Sequence, residues 1–305
     1  MIPGATSRPS APPLDGIIAV PATPFTADDR VDVDSLRRYA RSYLARGAIG
    51  FLAPAVAGEV DTLSAAEREL IVATLLEESA GRVPVIGGAT CSDPTESLRH
   101  AQRFIAMGCQ GVLAYIRYEN DATYAAAVHA LGELQPGFLM IQDLDLGAAP
   151  LPVALVARLH REIPCFIWMK VETADRGRKL TALREAAGPS LRIGTAGPDL
   201  VEMLDRGAHA YLPTLYPDAY AHIWSLHRAG QRDDAQALYH RLLPGLAFMA
   251  THQKIQWRFT KAILQAEGLF ATTRIRTAAP PLDAFEERLI AELARHAVEL
   301  SRSLR

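Results

Sequence analysis

Lysine is scarce in this sequence: of 32 cationic side chains only Lys170, Lys179, Lys254 and Lys261 are lysines, and the other 28 are arginines. Where a generic positive charge suffices, the chain uses a guanidinium. A lysine inside an apolar segment therefore calls for a chemical reason, because an amine can lose its proton and attack a carbonyl while a guanidinium cannot. Cysteine is scarcer still. Cys91, Cys109 and Cys165 have no CxxC spacing and leave an odd count, which argues against a disulfide framework and a zinc site and fits a reducing cytoplasm. Neither sign of charge dominates. A net charge of −2, with 34 acidic residues against those 32 basic ones, argues against a nucleic-acid partner. No apolar run reaches transmembrane length, so no membrane partner is expected. The Pro-, Ser- and Ala-rich residues 1–15 lack an apolar h-region and read as a flexible leader, not as a signal peptide.

What the sequence has in quantity is alternation. Eight short apolar runs, beginning with GIIAVPA (16–22) and AIGFLAPA (48–55) and ending with LRIGTA (191–196) and HAYLPT (209–214), are each followed by an amphipathic helical stretch. Continuous apolar strands separated by helices imply a parallel sheet covered by those helices, and eight such units close a (β/α)8 TIM barrel over residues 16–230. A doubly wound open sheet is the alternative, disfavoured by the eight near-equal units and the lack of a Gly-rich nucleotide turn. Ser64 three residues before Glu67 has capping-box spacing, and Asp93–Pro94 reads as a helix N-cap and first turn. Beyond residue 230 the strand pattern stops. DDAQALYHRLLPGLAFM, the stretch from Lys254 to Gln265 and FEERLIAELARHAVELS form a C-terminal helical extension (231–305) packed on the barrel.

Barrel chemistry sits at the carboxyl ends of the strands. That rule selects Thr23 after strand one, the AVAGE turn (55–59) after strand two, Tyr115 and Tyr118 after strand four, Gln142 and Asp143 ending strand five, and Lys170 with Glu172 ending strand six. Lys170 closes the run CFIWM, whose apolar side chains would desolvate its ammonium and favour the free amine that forms a Schiff base. The competing reading is a lysine at the barrel rim paired with Glu172. Backbone N–H groups around Ala57 and Gly58 could bind a carboxylate, or the turn could be an ordinary connection. Gln142 and Asp143 could hold a substrate hydroxyl. Tyr118 could relay a proton, and Glu172, two residues beyond Lys170 and so on the same strand face, is the leading proton acceptor.

These residues resemble the dihydrodipicolinate synthase and N-acetylneuraminate lyase family, a Schiff-base class I aldolase superfamily. The motifs fall in the family's order along nearly the whole chain: GIIAVPATPF (16–25), AGE (57–59), DTLSAAE (61–67), RVPVIGG (82–88) and MKVE (169–172). The resemblance implies a (β/α)8 barrel with a C-terminal helical region, a homo-oligomer (tetramer or dimer), and no metal or organic cofactor. By position Lys170 matches the Schiff-base lysine, and Tyr118 the loop tyrosine that reaches a neighbouring subunit's site in the synthases. Several positions depart from the family. Ala55-Val56-Ala57-Gly58-Glu59 stands where GTTGE is usual, Gln142-Asp143 replaces the strand-five YN, and no arginine occurs between Gln142 and Arg158, where the synthases place one. IQD (141–143), KVET (170–173) and PPL (280–282) are more similar to the family's 2-keto-3-deoxy sugar-acid dehydratases. The expected function is thus a lyase, aldolase or dehydratase in type, that captures pyruvate or a short 2-oxo acid on Lys170. The alternatives are dihydrodipicolinate synthesis proper and a ligand-sensing barrel without turnover.

Overall fold

The computed structural model describes residues 14–305 apart from 92, 146 and 148, and leaves out the side chain of residue 253. Eight parallel strands alternate with eight helices. In order these are β1 (Gly16–Ala19), α1 (Val33–Ala45), β2 (Ala48–Ala53), α2 (Ala65–Ser79), β3 (Val85–Gly88), α3 (Pro94–Met107), β4 (Gly111–Tyr115), α4 (Asp121–Glu133), β5 (Leu139–Leu144), α5 (Val153–Glu162), β6 (Phe166–Glu172), α6 (Arg176–Ala187), β7 (Arg192–Thr195), α7 (Leu200–Asp205), β8 (Ala210–Tyr211) and α8 (Pro217–Arg228). The strands pair in sequence order and β8 closes onto β1, so the sheet is a closed barrel and the open doubly wound alternative is overturned.

Two apolar layers explain the continuous strand runs, since a strand buried on both faces has no polar side. On β6, Met169 and Val171 pack outward against the helices, while Trp168 belongs to the barrel interior with Ile18, Leu52, Ile86, Leu113 and Met140. Period-two alternation then points Lys170 and Glu172 the same way as Trp168, toward the barrel axis. The helix starts follow the expected chemistry. Ser64 and Glu67 form the capping box at α2, and Asp93 caps α3 ahead of Pro94.

Of the leader expected over residues 1–15, Leu14 is buried and joins the barrel's interior cluster, while Asp15 is exposed and pairs with Arg192 at 2.9 Å. The rest of that leader, residues 1–13, lies outside the described residues. Past α8, the stretch expected to run on through residue 249 divides into α9 (Arg232–His240) and α10 (Leu243–Thr251). Pro244 sits in the first turn of α10, because proline has no N–H for a helix interior but fits a helix start. The chain finishes with α11 (Gln256–Ala266) and α12 (Ala284–Ser303). Buried Arg46, at the end of α1, fastens these helices to the barrel. It bonds Asp218 on α8, Glu267 after α11 and Ser301 on α12 at 2.9–3.2 Å.

Candidate active site

A cavity of about 450 Å³ opens at the carboxyl ends of the strands. On one side stands the turn Ala55–Ala57 after β2. Across from it are the ends of β5 and β6 and the loop after β7, and the segment from Tyr211 to Tyr216 at the end of β8 completes the rim. Leu246, Met249 and Ala250 of α10 close another wall, so the C-terminal extension is part of the site and not only a support for it.

Lys170 stands between Gln142 on β5 and Gly194 on β7, its partners in the parallel register. Its Nζ lies 2.9 Å from Glu172 Oε2, and Gln142 Nε2 donates to the same oxygen at 2.6 Å. Glu172 Oε1 has no such partner among the described residues. Lys170, Gln142 and Glu172 all line the cavity. The sequence reading offered imine chemistry or a Glu172 pairing for Lys170, and the pairing is present in a site where the amine also meets open space.

Three of the four lysines are buried beside a carboxylate. Lys179 pairs with Asp143, and Lys261 with Glu59 at 2.6 Å. Scarcity alone therefore does not mark the nucleophile. Lys170 is distinguished by being the lysine on the cavity wall.

Other expected site residues fall elsewhere. Asp143 is buried and faces away from the cavity, where it pairs with Lys179 and accepts from the Leu151 N–H at 3.3 Å. Adjacent strand residues point to opposite faces, so Gln142 and Asp143 cannot both face inward. Thr23 is buried with its hydroxyl committed to the Gly58 carbonyl at 2.6 Å, which braces the turn from behind. A Cβ at Gly58 would come 2.9 Å from the Pro21 carbonyl oxygen, so this close approach of two backbones requires glycine. Ala57 does line the cavity, without a side-chain hydroxyl. Tyr118 lies off it, donating to Asp121 Oδ1 at 2.7 Å with its ring edge against Tyr124.

The turn after β2 is held from outside by α11 and the segment beyond it. Glu59 adopts a left-handed φ of 58° and accepts from Lys261 and from the N–H groups of Arg276 and Thr277. Burial lowers the Lys261 ammonium to about 8, against the opposing pull of Glu59.

Several cavity residues escaped the sequence reading. Tyr211, Tyr216 and Tyr220 face the site, and burial raises all three phenols well above their usual range, so they remain protonated at neutral pH. The Tyr211 hydroxyl bonds Gly197 and lies 3.5 Å from that of Tyr220. Arg176, the first residue of α6, also lines the cavity. Among the described residues no group of three or more His, Cys, Asp or Glu side chains is placed to hold a metal ion. No helix there is long and apolar enough to cross a membrane.

The family model of the dihydrodipicolinate synthetase family matches residues 13–297, almost the entire chain. The chain belongs to the dihydrodipicolinate synthetase family. As a member it is a lyase of the class I aldolase and dehydratase superfamily. An L-2-keto-3-deoxyarabonate dehydratase from Azospirillum brasilense is 27% identical over 286 residues, covering 90% of this chain and 91% of that protein. A 4-hydroxy-tetrahydrodipicolinate synthase from Sodalis glossinidius is 27% identical over 289 residues, 90% of this chain and 96% of that one. Among solved structures, the sialic acid aldolase of Ruminococcus gnavus superposes with a TM-score of 0.88 at 17% identity, over 96% of this chain and 100% of its own. That likeness shows the fold alone.

Proposed function

We propose that this family member dehydrates a short 2-keto-3-deoxy acid through an imine on Lys170. The observation that carries the reading is the placement of the Lys170 amine in the cavity, 2.9 Å from a carboxylate that Gln142 holds in place. Glu172 takes the ammonium proton, and the free amine adds to the keto carbon. The proton passes to the carbinolamine oxygen, and water departs to leave the imine. Glu172, again a carboxylate, then removes a C3 proton while the imine accepts the electron pair. The resulting enamine expels the C4 hydroxyl, which leaves as water with the proton Glu172 had taken. Gln142 cannot move a proton, because an amide neither gains nor loses one near neutral pH. Its part is to orient Glu172.

The substrate carboxylate is assigned to the backbone of Val56 and Ala57, in the turn facing Lys170 across the cavity. Dehydration is favoured over dihydrodipicolinate synthesis by the hydroxyl-free turn and by Gln142 at the position of the family tyrosine. The same reading includes a homo-oligomer in a reducing compartment, consistent with the family and with three free cysteines.

Borohydride reduction with pyruvate, followed by peptide mass analysis, tests the first step. A reduced adduct on Lys170 is expected, and one found only on Lys179, Lys254 or Lys261 overturns the assignment. A panel of 2-keto-3-deoxy acids tests the second, with loss of water expected and pyruvate release pointing instead to aldol cleavage.

A further inference from the structure

We infer that Arg176 makes the site selective for 2-oxo acids bearing a second carboxylate at the end remote from the keto group. The inference rests on the imine assignment of Lys170. Arg176 and Lys170 are the cationic side chains of the cavity wall, Lys170 near the end of β6 and Arg176 at the start of the helix that follows. A substrate joined to Lys170 with its own carboxylate against the turn after β2 therefore extends its other end toward β6, β7 and Arg176, because β2 and β6 lie on opposite sides of the barrel.

The guanidinium is fixed but not used up. Its Nε donates to Asp199 at 2.8 and 2.7 Å, and Nη1 donates to the Thr173 carbonyl at 3.2 Å. It lies against Gly197, where a Cβ would stand 2.8 Å from both Cζ and Nη2, so any other residue there would displace it. Nη2 bonds nothing among the described residues, and the side chain keeps 18% of its surface exposed. An arginine serving only to hold Asp199 would present its two-nitrogen fork to the carboxylate. Here Asp199 takes the Nε edge and the Nη2 edge remains available. A neutral hydroxyl tail would form an ordinary hydrogen bond there, whereas a carboxylate would form a charge-assisted one. The opposing acid on the wall is Asp145, which is exposed and so well solvated at the rim. Glu172, the other acid on the wall, has its Oε2 paired with Lys170 at 2.9 Å.

The test uses the full chain, borohydride and three probes: pyruvate, 2-oxoglutarate and 2-oxopentanoate, the last two matched in carbon number. Half-maximal labelling of Lys170 by 2-oxoglutarate is expected at a concentration about tenfold or more below that for 2-oxopentanoate, the effect of one charge-assisted hydrogen bond. Arg176→Met should bring that ratio close to one, and Arg176→Lys, which keeps the charge without the fork, should fall between. Equal labelling by the two five-carbon acids in the unmodified protein overturns the inference, as does an undiminished ratio in Arg176→Met. Should Arg176→Met fail to fold, the unmodified protein and Arg176→Lys still decide the matter. Pyruvate labelling without dicarboxylate preference removes only this inference. The absence of any Lys170 adduct from all three acids removes the imine assignment and the inference with it.

Discussion

Lys261 Nζ lies 2.6 Å from Glu59 Oε1, with neither side chain exposed to solvent, and this pair ties α11 to the turn that forms one wall of the cavity. The two residues are 202 positions apart in sequence. Lys261 also lies over the Phe25 ring at 4.3 Å, and Arg276 lies over it at 4.2 Å. A buried charge that loses its partner costs far more than the intact pair contributes. Lys261→Met should therefore destabilise the protein by about 3–5 kcal/mol, and Glu59→Gln combined with it should recover part of that loss. Denaturant unfolding of the two variants measures both, and a Lys261→Met protein as stable as the parent contradicts the role given to this pair.

The same lysine supplies a control for imine trapping. Burial lowers the Lys261 ammonium to about 8, so a free amine is within reach at this lysine too. It is fully buried and absent from the cavity wall. Reduction with pyruvate should mark Lys170 and spare Lys261, and Lys170→Arg should abolish labelling while circular dichroism shows an intact barrel.

Glu172 should matter more to turnover than to the adduct present at equilibrium. Glu172→Gln is expected to form the reducible adduct more slowly yet still accumulate it, and to lower turnover by roughly a hundredfold, the usual scale of lost acid–base catalysis. Tyr118→Phe should leave turnover near the parent value, since its hydroxyl bonds Asp121 off the cavity. Normal turnover in Glu172→Gln with a defect in Tyr118→Phe reverses the assignment.

Acid should loosen the segment beyond α11 through Glu67. Hydrogen bonds from Arg276 hold the Glu67 carboxyl down at about 2, below its ordinary 4.5. A folded-state value below the unfolded one contributes stability above pH 4.5 that is lost as pH falls toward 2. Allowing for partial exposure, this amounts to about 2 kcal/mol. Glu67→Gln should show a correspondingly flatter loss of stability between those pH values, and parallel curves would refute the effect.

Particular residues show what could be read from sequence. The eight βα units were legible because strands buried on both faces leave long apolar runs, and Lys170 stood out at the end of one of them. Asp143 was misplaced although the needed signal was present, since strand periodicity forbids it from facing the same way as Gln142. The buried pairs of Lys179 and Lys261 had no local signal, because their carboxylates come from elements distant in sequence that only the tertiary fold brings close. Tyr211, Tyr216 and the α10 wall were hidden for the same reason. The turn at 212–216 and the tail meet Lys170 only in three dimensions.

The register of β6 gives the amine a handedness. Gln142 flanks Lys170 from β5 and steers Glu172, while from β7 the flanking residue is Gly194, which has no side chain. An imine formed on Lys170 would thus have its proton-moving carboxylate held by one neighbouring strand and no side chain at the matching position on the other. On the proposed chemistry, the two hydrogens at C3 cease to be equivalent. A substrate carrying deuterium in one of those two positions would lose it or keep it according to configuration alone.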